Sequence, residues 1–525
     1  MGSTSPQAPL TTASSNESEA QTPTDIEKNL EKAKTDEHRD SPDSPSVHAA
    51  TPGLEKVYTS AKDWDGPDDK GNPRNWPLWK RAYHSGVTAL LSFVVTYGTS
   101  AYSPGISKVA EDLDVSEEVA ILGLSLYVLG LSFGPVVAGG MSETFGRKAV
   151  YIWCTPISLL FTLGAGLSKN ITSLLITRFF AGVTGSGPLA VGSGTTADVW
   201  EPIDWAAAAS LWILAPFLGP ALGPATAGYP IQKGTWRWGQ WLLLCAGGFA
   251  WLFALFQQET YKKVILRNRA KKYGLPPPHD PLPPGFAKVK ALFNVTVLRA
   301  LRMLFTEPIC TAFAVYCSFT FGVLFAFFPG VTWVFRTVYG FSVGQAGLVF
   351  IAIGVGCILG TGVFIFIDRV TYRPQALRLR SEGSEKSVPP EERLYASMLG
   401  AIILPISLFW FAWSARSDIH WIVPTVALAF FGAGNQLVFD TAATYLTSVY
   451  GPMGSASAMS ANNLARYACG AAFPLFAVQM FRGLTIKWAG SLLGFVTIAL
   501  LPIPFLFYKY GKSIRSKGSI PKSDA

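Results

Sequence analysis

Twelve apolar stretches of about twenty residues, six on each side of a basic central segment, constrain this chain more than any other feature. An apolar helix of roughly twenty residues crosses the ~30 Å hydrocarbon core of a bilayer, where backbone polar groups must be satisfied internally. The stretches, spans 1 to 12, run over 83–103, 119–139, 149–167, 172–195, 206–229, 239–256, 308–334, 343–367, 395–414, 421–443, 455–481 and 488–508. They predict an all-α membrane protein with twelve transmembrane helices in two six-helix bundles. The expected work of such a chain is to move something across the bilayer.

Composition matters here mainly through where the charges fall. The chain is 49% hydrophobic and 15% charged, with a net charge of +9, too charge-poor for an ordinary soluble protein. The cations are clustered: Lys262, Lys263, Arg267, Arg269, Lys271, Lys272, Lys288 and Lys290 follow span 6, and Lys509, Lys512, Arg515, Lys517 and Lys522 follow span 12. The loop between spans 1 and 2 is acidic, with Glu111, Asp112, Asp114, Glu117 and Glu118. Lys and Arg accumulate on the cytoplasmic side, so both termini and the central loop are expected there, and nucleic acid is not an expected partner. The resulting division is a disordered cytoplasmic tail over 1–78, a first bundle over 79–257, a basic loop over 258–305, a second bundle over 306–508 and a basic tail over 509–525. Residues 1–55 are rich in Ser, Thr, Pro and acids, and order is expected to begin near Trp64. Trp76 and Trp79 are placed at the inner headgroup level.

Several function classes drop out. The six cysteines all lie in apolar spans and read as small buried hydrophobes rather than a disulfide framework or metal site. No nucleophile–base set, metal spacing or Walker A loop occurs, so neither an enzyme nor a self-contained ATP-driven pump is expected, and no cofactor. Among the glycosylation sequons, Asn16 and Asn294 fall on cytoplasmic segments, and Asn170 lies in an outer loop close to the membrane.

Three motifs carry mechanism. After span 2, Gly139-Gly140-Met141-Ser142-Glu143-Thr144-Phe145-Gly146-Arg147-Lys148 combines turn-forming glycines with cations suited to carboxylates and lipid phosphates at the inner face. Asp198, at the inner end of span 4, is the expected partner of Arg147 or Lys148 in an inner gate. Arg178 lies about six residues into span 4, roughly 9 Å deep at 1.5 Å per residue. A buried arginine there either bonds neighbouring carbonyls or faces a polar cavity. Span 5 carries Pro216, Gly219, Pro220, Gly223 and Pro224. Its glycines, four apart, make a smooth face, which is expected to meet a similar face on span 8, Gly354, Gly356, Gly360 and Gly362, as a bendable seam between the bundles.

These motifs resemble those of the major facilitator superfamily. The first resembles G-x-x-x-D-R-x-G-R-K, with Glu143 for Asp and Thr144 for the first cation, and Asp368-Arg369 after span 8 is a degenerate echo. Arg178 with Gly182 and Gly187 lies in a stretch that resembles R-x-x-x-G-x-x-x-x-G, and 215–224 resembles the antiporter motif G-x-x-x-G-P-x-x-G-G, with Ala215 and Pro224 departing at its ends. From about Trp64 to Arg515 the chain looks like a fungal twelve-span drug:proton antiporter. Trp236-Arg237-Trp238, Glu259-Thr260-Tyr261, Phe305-Thr306-Glu307-Pro308-Ile309, His420-Trp421-Ile422-Val423-Pro424, Phe473-Pro474-Leu475-Phe476 and Pro502-Ile503-Pro504-Phe505 resemble that branch specifically. The resemblance implies two bundles rocking about a central cavity while protons move inward and substrate leaves. It also implies a proton-coupling role for Arg178, which would hold a nearby acid charged.

Few acids lie in the spans. Asp440 in span 10, near Asn435 and Gln436, is either a proton site or half of an ion pair with Arg466 of span 11. Tyr97, Tyr127, Tyr316 and Phe319, with Asn435 and Gln436, are the expected cavity lining, which suits lipophilic or amphipathic cargo. The expected function is proton-coupled efflux of antifungals, toxins or secondary metabolites by a monomer in the plasma membrane, or alternatively the vacuolar membrane. The alternatives are a dedicated exporter of one solute, such as a polyamine or organic acid, and a non-transporting sensor.

Overall fold

In a computed structural model the described residues are 63–276, 297–383 and 388–516. The expected tail disorder over 1–55, the sequons at Asn16 and Asn294, and Lys288, Lys290, Lys517 and Lys522 lie outside them. Among the described residues the regular structure is helical, with no strand. In chain order the helices are α1 (Leu78–Ser100), α2 (Ile106–Asp112), α3 (Glu117–Leu131), α4 (Gly134–Phe145), α5 (Arg147–Gly166), α6 (Ile171–Gly185), α7 (Gly187–Val199), α8 (Pro202–Lys233), α9 (Trp238–Leu255) and α10 (Lys262–Tyr273). The second half has α11 (Arg299–Thr306), α12 (Pro308–Tyr339), α13 (Val343–Val349), α14 (Ile351–Val370), α15 (Tyr372–Ser381) and α16 (Tyr395–Ser414). A long helical run over 422–500 follows, turned at Gly451 and Thr485 into α17 (422–450), α18 (452–484) and α19 (486–500), before α20 (Pro502–Ser516).

Nine helical segments among the described residues are long and apolar enough to cross a membrane. They do not map one-to-one onto the twelve stretches, for identifiable reasons. Span 2 is divided between α3 and α4 at Ser132–Phe133, where Pro135 opens the second helix, as expected of a residue without a backbone N–H. Spans 11 and 12 fall on α18 and on α19 with α20, separated by the turn at Thr485 (φ +66°), without an intervening loop. Outward-facing residues on these helices are themselves apolar, among them Leu160, Phe249, Leu359, Phe366, Ile406 and Phe495, the pattern of helices whose outer face meets lipid.

Within the first half α1 packs on α8, and α6 packs on α3 and α5. In the second half the 422–500 run packs against α12, α14 and α16. The halves meet where α8 touches α13 and α14, and where α3 touches the 422–500 run.

Residues 63–76, within the stretch assigned from sequence to the tail, pack against α10, in keeping with order expected from near Trp64. Asp69 is buried and receives two hydrogen bonds from Arg269, at 2.8 and 3.1 Å. Asp63 pairs with Lys262 at 2.8 Å, and the Trp64 ring lies over Arg269. Trp76 is buried beneath Lys80 and beside His84, whereas Trp79 is 71% exposed. The basic loop therefore contains a helix that holds a strap. Burial pushes the Asp69 carboxyl up, but Arg269 and the amides of Gly71 and Asp65 outweigh it and leave it below its ordinary value of 3.8. A carboxyl lowered by folding stabilises above its unfolded pKa and loses that contribution as pH falls through the lower folded value. Removing one partner of a buried pair costs on the order of 3–5 kcal/mol. Asp69→Asn is therefore expected to release the strap and expose Lys70 to trypsin at neutral pH. In the wild type, pepsin cleavage of the strap should rise only below about pH 4.

Candidate functional site

The loop that joins α4 to α5 is built around two carboxylates. Gly146 has φ +98°, and a Cβ there would lie 2.1 Å from the Glu259 carboxylate, so glycine is needed both for the turn and for the approach. Glu259 accepts hydrogen bonds from the backbone amides of Arg147 (2.9 Å), Lys148 (3.2 Å) and Tyr261 (2.9 Å). The Arg147 side chain pairs with Asp198 at 3.2 Å, donates to Ser142 Oγ and lies over the Tyr261 ring. Thr260 donates to the same Asp198 oxygen. Of the two cations offered to Asp198, Arg147 takes it. Glu143 is exposed, and Gly139 sits within α4. The acid that organises the loop is Glu259, 112 residues downstream of Arg147. The echo in the second half is more complete than its motif: Asp368 pairs with Arg393, which stacks on Tyr372, and Glu391 pairs with Arg515.

At the end of α2, Asp112 accepts from the Trp236 indole and from Arg237, at 2.9 and 3.0 Å. These bonds, the indole's above all, hold its carboxyl below the usual value. Asn170, the outer sequon, caps α6 by accepting from the Ser173 amide.

Arg178 is 1% exposed. It donates to Gly123 O at 2.5 Å, Gly98 O at 3.1 Å and Gln240 Oε1 at 3.4 Å, between the rings of Tyr102 and Tyr127. It thus ties α1, α3, α6 and α9 together. Tyr127, expected in the cavity lining, is instead part of this brace, with its hydroxyl donating to Val95 O. The expectation that Arg178 holds a nearby acid charged is not met: among the described residues no carboxylate pairs with it.

The smooth face of span 5 also differs from expectation. A Cβ on Gly219 would meet Thr96, Tyr97 and Phe93, and one on Gly223 would meet Ser100 and Ala101, all on or adjoining α1. Gly356 and Gly360 close against Ala429 and Ala433 of α17, and Gly362 faces open space. Of the expected span 8 face, Gly354 reaches α8, through Ala221 and Leu218. The halves also meet closely where Gly347 abuts the Pro224 carbonyl, Gly344 abuts Gly228, and Gln232 accepts from the Gly344 amide. Near the other end of α8, Arg373 of α15 pairs with Asp204 at 3.0 Å. Pro216 and Pro220 sit within α8, which continues through them to Lys233.

Between the halves lies an aromatic centre. Phe217 of α8 stands 5.2 Å from Phe439 and 6.4 Å from Phe321. Arg466 lies over Phe321, Phe439 and Tyr467, and donates to Asn463 Oδ1 and the Tyr467 hydroxyl. It does not pair with Asp440, which corrects the ion-pair reading. Asp440 is fully buried in α17, and its carboxylate receives two 3.2 Å bonds from the Gln436 amide. Asn435 is buried beside it in sequence. Tyr316 is also buried, its hydroxyl unmatched. Tyr97 bonds Thr226, and Phe319 packs edge-on against Phe473.

A family model described as Major Facilitator Superfamily matches residues 88–474. The chain belongs to the Major Facilitator Superfamily. It is 39% identical over 505 residues to Polyamine transporter 4 of Saccharomyces cerevisiae, covering 92% of this chain and 76% of that one. It is 38% identical over 459 residues to Efflux pump FUB11 of Gibberella moniliformis, covering 86% and 76%. A solved proton:xylose symporter, XylE, superposes with TM-score 0.60 at 14% identity over 86% of this chain and 98% of that chain. The protein is thus a multi-pass membrane carrier of small molecules rather than an enzyme, and its fold is that of the superfamily. The fungal resemblance agrees with these relatives.

Proposed function

We propose that this transporter exports small, mainly lipophilic organic molecules in exchange for protons, by alternating access of the site between its halves. The supporting observation is Asp440. An ionised carboxylate inside packed, membrane-spanning protein is costly unless a cation or several donors meet it. Asp440 has one amide donor, and among the described residues no cation pairs with it. A proton is the partner this site has room for, and one that enters with a conformational change would couple the gradient to transport. The aromatic centre around Phe217, Phe321 and Phe439 suits apolar cargo. We place the protein in the plasma membrane as a monomer, with twelve spans and both termini in the cytoplasm, because the cations cluster after spans 6 and 12.

The relative named as a polyamine transporter favours a second reading, export of a polycation. A polyamine, however, calls for several carboxylates facing the cargo, and the charged group at the aromatic centre is Arg466.

Efflux from energised cells, with and without a protonophore, tests the main reading. Protonophore-sensitive export of lipophilic dyes is expected. Asp440→Asn, which keeps the shape of the neutral acid, should insert normally and lose gradient-driven export at least tenfold at every external pH, in line with the loss of an essential proton-transfer group. Retained export would reduce Asp440 to a structural residue.

A further inference from the structure

We propose that Arg466 and the rings around it form the cargo site, and that this site takes a planar aromatic molecule carrying one carboxylate or an equally acidic group. The proposal narrows the cargo class of the transport reading above and rests on it. The buried arginines elsewhere make its chemistry plain. Arg147, Arg269, Arg393 and Arg515 each pair with a carboxylate. Arg178 is spent on three acceptors and two tyrosine faces. Arg466 is 7% exposed, it donates to a neutral amide and a phenol, and among the described residues its Nε meets no acceptor. Among the described residues no carboxylate pairs with it.

Aromatic faces return part of the lost hydration of a guanidinium, but they do not neutralise it. A carboxylate does, and the planar fork of arginine matches it with two parallel hydrogen bonds. The rings that stack on Arg466 would stack equally on a flat cargo beside it. Its position suits alternating access, since Phe217 comes from the first half while Phe321, Phe439 and Tyr467 come from the second. One turn further along α18, Gly470 lies against both Phe321 and Val128 of α3, so this helix face meets the opposite bundle.

The test compares binding of 2-naphthoate and 2-naphthamide, which share a ring and differ in charge, to the purified full-length transporter. Naphthoate is expected to bind at least about tenfold more tightly, the scale of a charge-assisted pair. Arg466→Gln should abolish that preference, bringing the two probes to within about twofold of each other. Arg466→Lys keeps the charge without the fork and should reduce the preference severalfold; it serves alone if the glutamine variant does not fold. Equal binding of the two probes, no binding of naphthoate at millimolar concentration, tighter binding of spermidine, or a preference that survives both substitutions would overturn the site. Export is measured separately in vesicles with an imposed pH gradient. A binding preference without gradient-driven export would overturn proton coupling and leave the site standing. Gradient-driven export of both probes alike, with no preference lost in Arg466→Gln, would overturn the site and leave coupling standing.

Discussion

Gly219→Leu is expected to abolish export while the chain still inserts with the same topology. The reason is steric and local. The Cβ of any larger residue would lie 2.3 Å from Thr96 Oγ1, 2.6 Å from the Tyr97 amide nitrogen and 2.7 Å from the Phe93 carbonyl. Two of those atoms are backbone, so no rotamer change relieves the contact, and α1 and α8 must separate. Overpacking of this kind costs about 1–3 kcal/mol for modest insertions, and occasionally more. Here the added branched side chain acts on the helix that also carries Phe217 to the aromatic centre and Pro224 to its contact with Gly347. A shift of α8 away from α1 therefore moves both. Gly362→Leu is the matched control: nothing lies within 4 Å of its Cβ position, and its activity should stay close to wild type. Surface expression and dye efflux of the two variants decide the matter, and full activity of Gly219→Leu would remove α1–α8 packing from the mechanism.

The same residue shows what a sequence can and cannot convey here. Glycines four apart announce a close helix approach, and one exists, but their spacing does not name the partner, which is α1 through Thr96, Ser100 and Ala101 rather than span 8. The Arg147–Asp198 pair was legible because opposite charges at the inner ends of neighbouring spans have few other partners. Glu259 was not, since its role depends on an approach across 112 residues to a glycine with positive φ. The Asp69–Arg269 strap spans 200 residues and left no periodic signal. Asp440 and Arg466 stood out in the sequence as scarce charges within apolar spans. Complementary charge alone nevertheless suggested a pair that their helices do not bring together, and among the described residues neither has an ionic partner, which is what gives both their proposed chemistry.

Arg178→Ala carries the other large effect, and the structure changes what it should look like. Were the guanidinium only a charge that keeps an acid ionised, its loss would stop coupling and leave the fold intact. Its surroundings predict more. Removing it takes the side-chain donor from Gly98 O and Gln240 Oε1, at about 1–3 kcal/mol for each buried group left unpaired, strips Gly123 O of its bond from outside the helix, and opens a void between Tyr102 and Tyr127. The approach that permits these bonds is itself exacting: a Cβ on Gly182 would lie 2.2 Å from Tyr127 O, and one on Gly123 would lie 2.7 Å from the Tyr102 hydroxyl. With the brace gone, α1, α3, α6 and α9 lose their shared anchor, and a destabilisation on the order of 4 kcal/mol is expected together with loss of export. Arg178→Lys keeps the charge but cannot serve three divergent acceptors, so it should recover little of the thermal midpoint and little transport. A thermal unfolding series on the purified wild type and both variants separates the two roles. An unchanged midpoint in Arg178→Ala with export lost would mean that the charge, rather than the brace, is what transport requires.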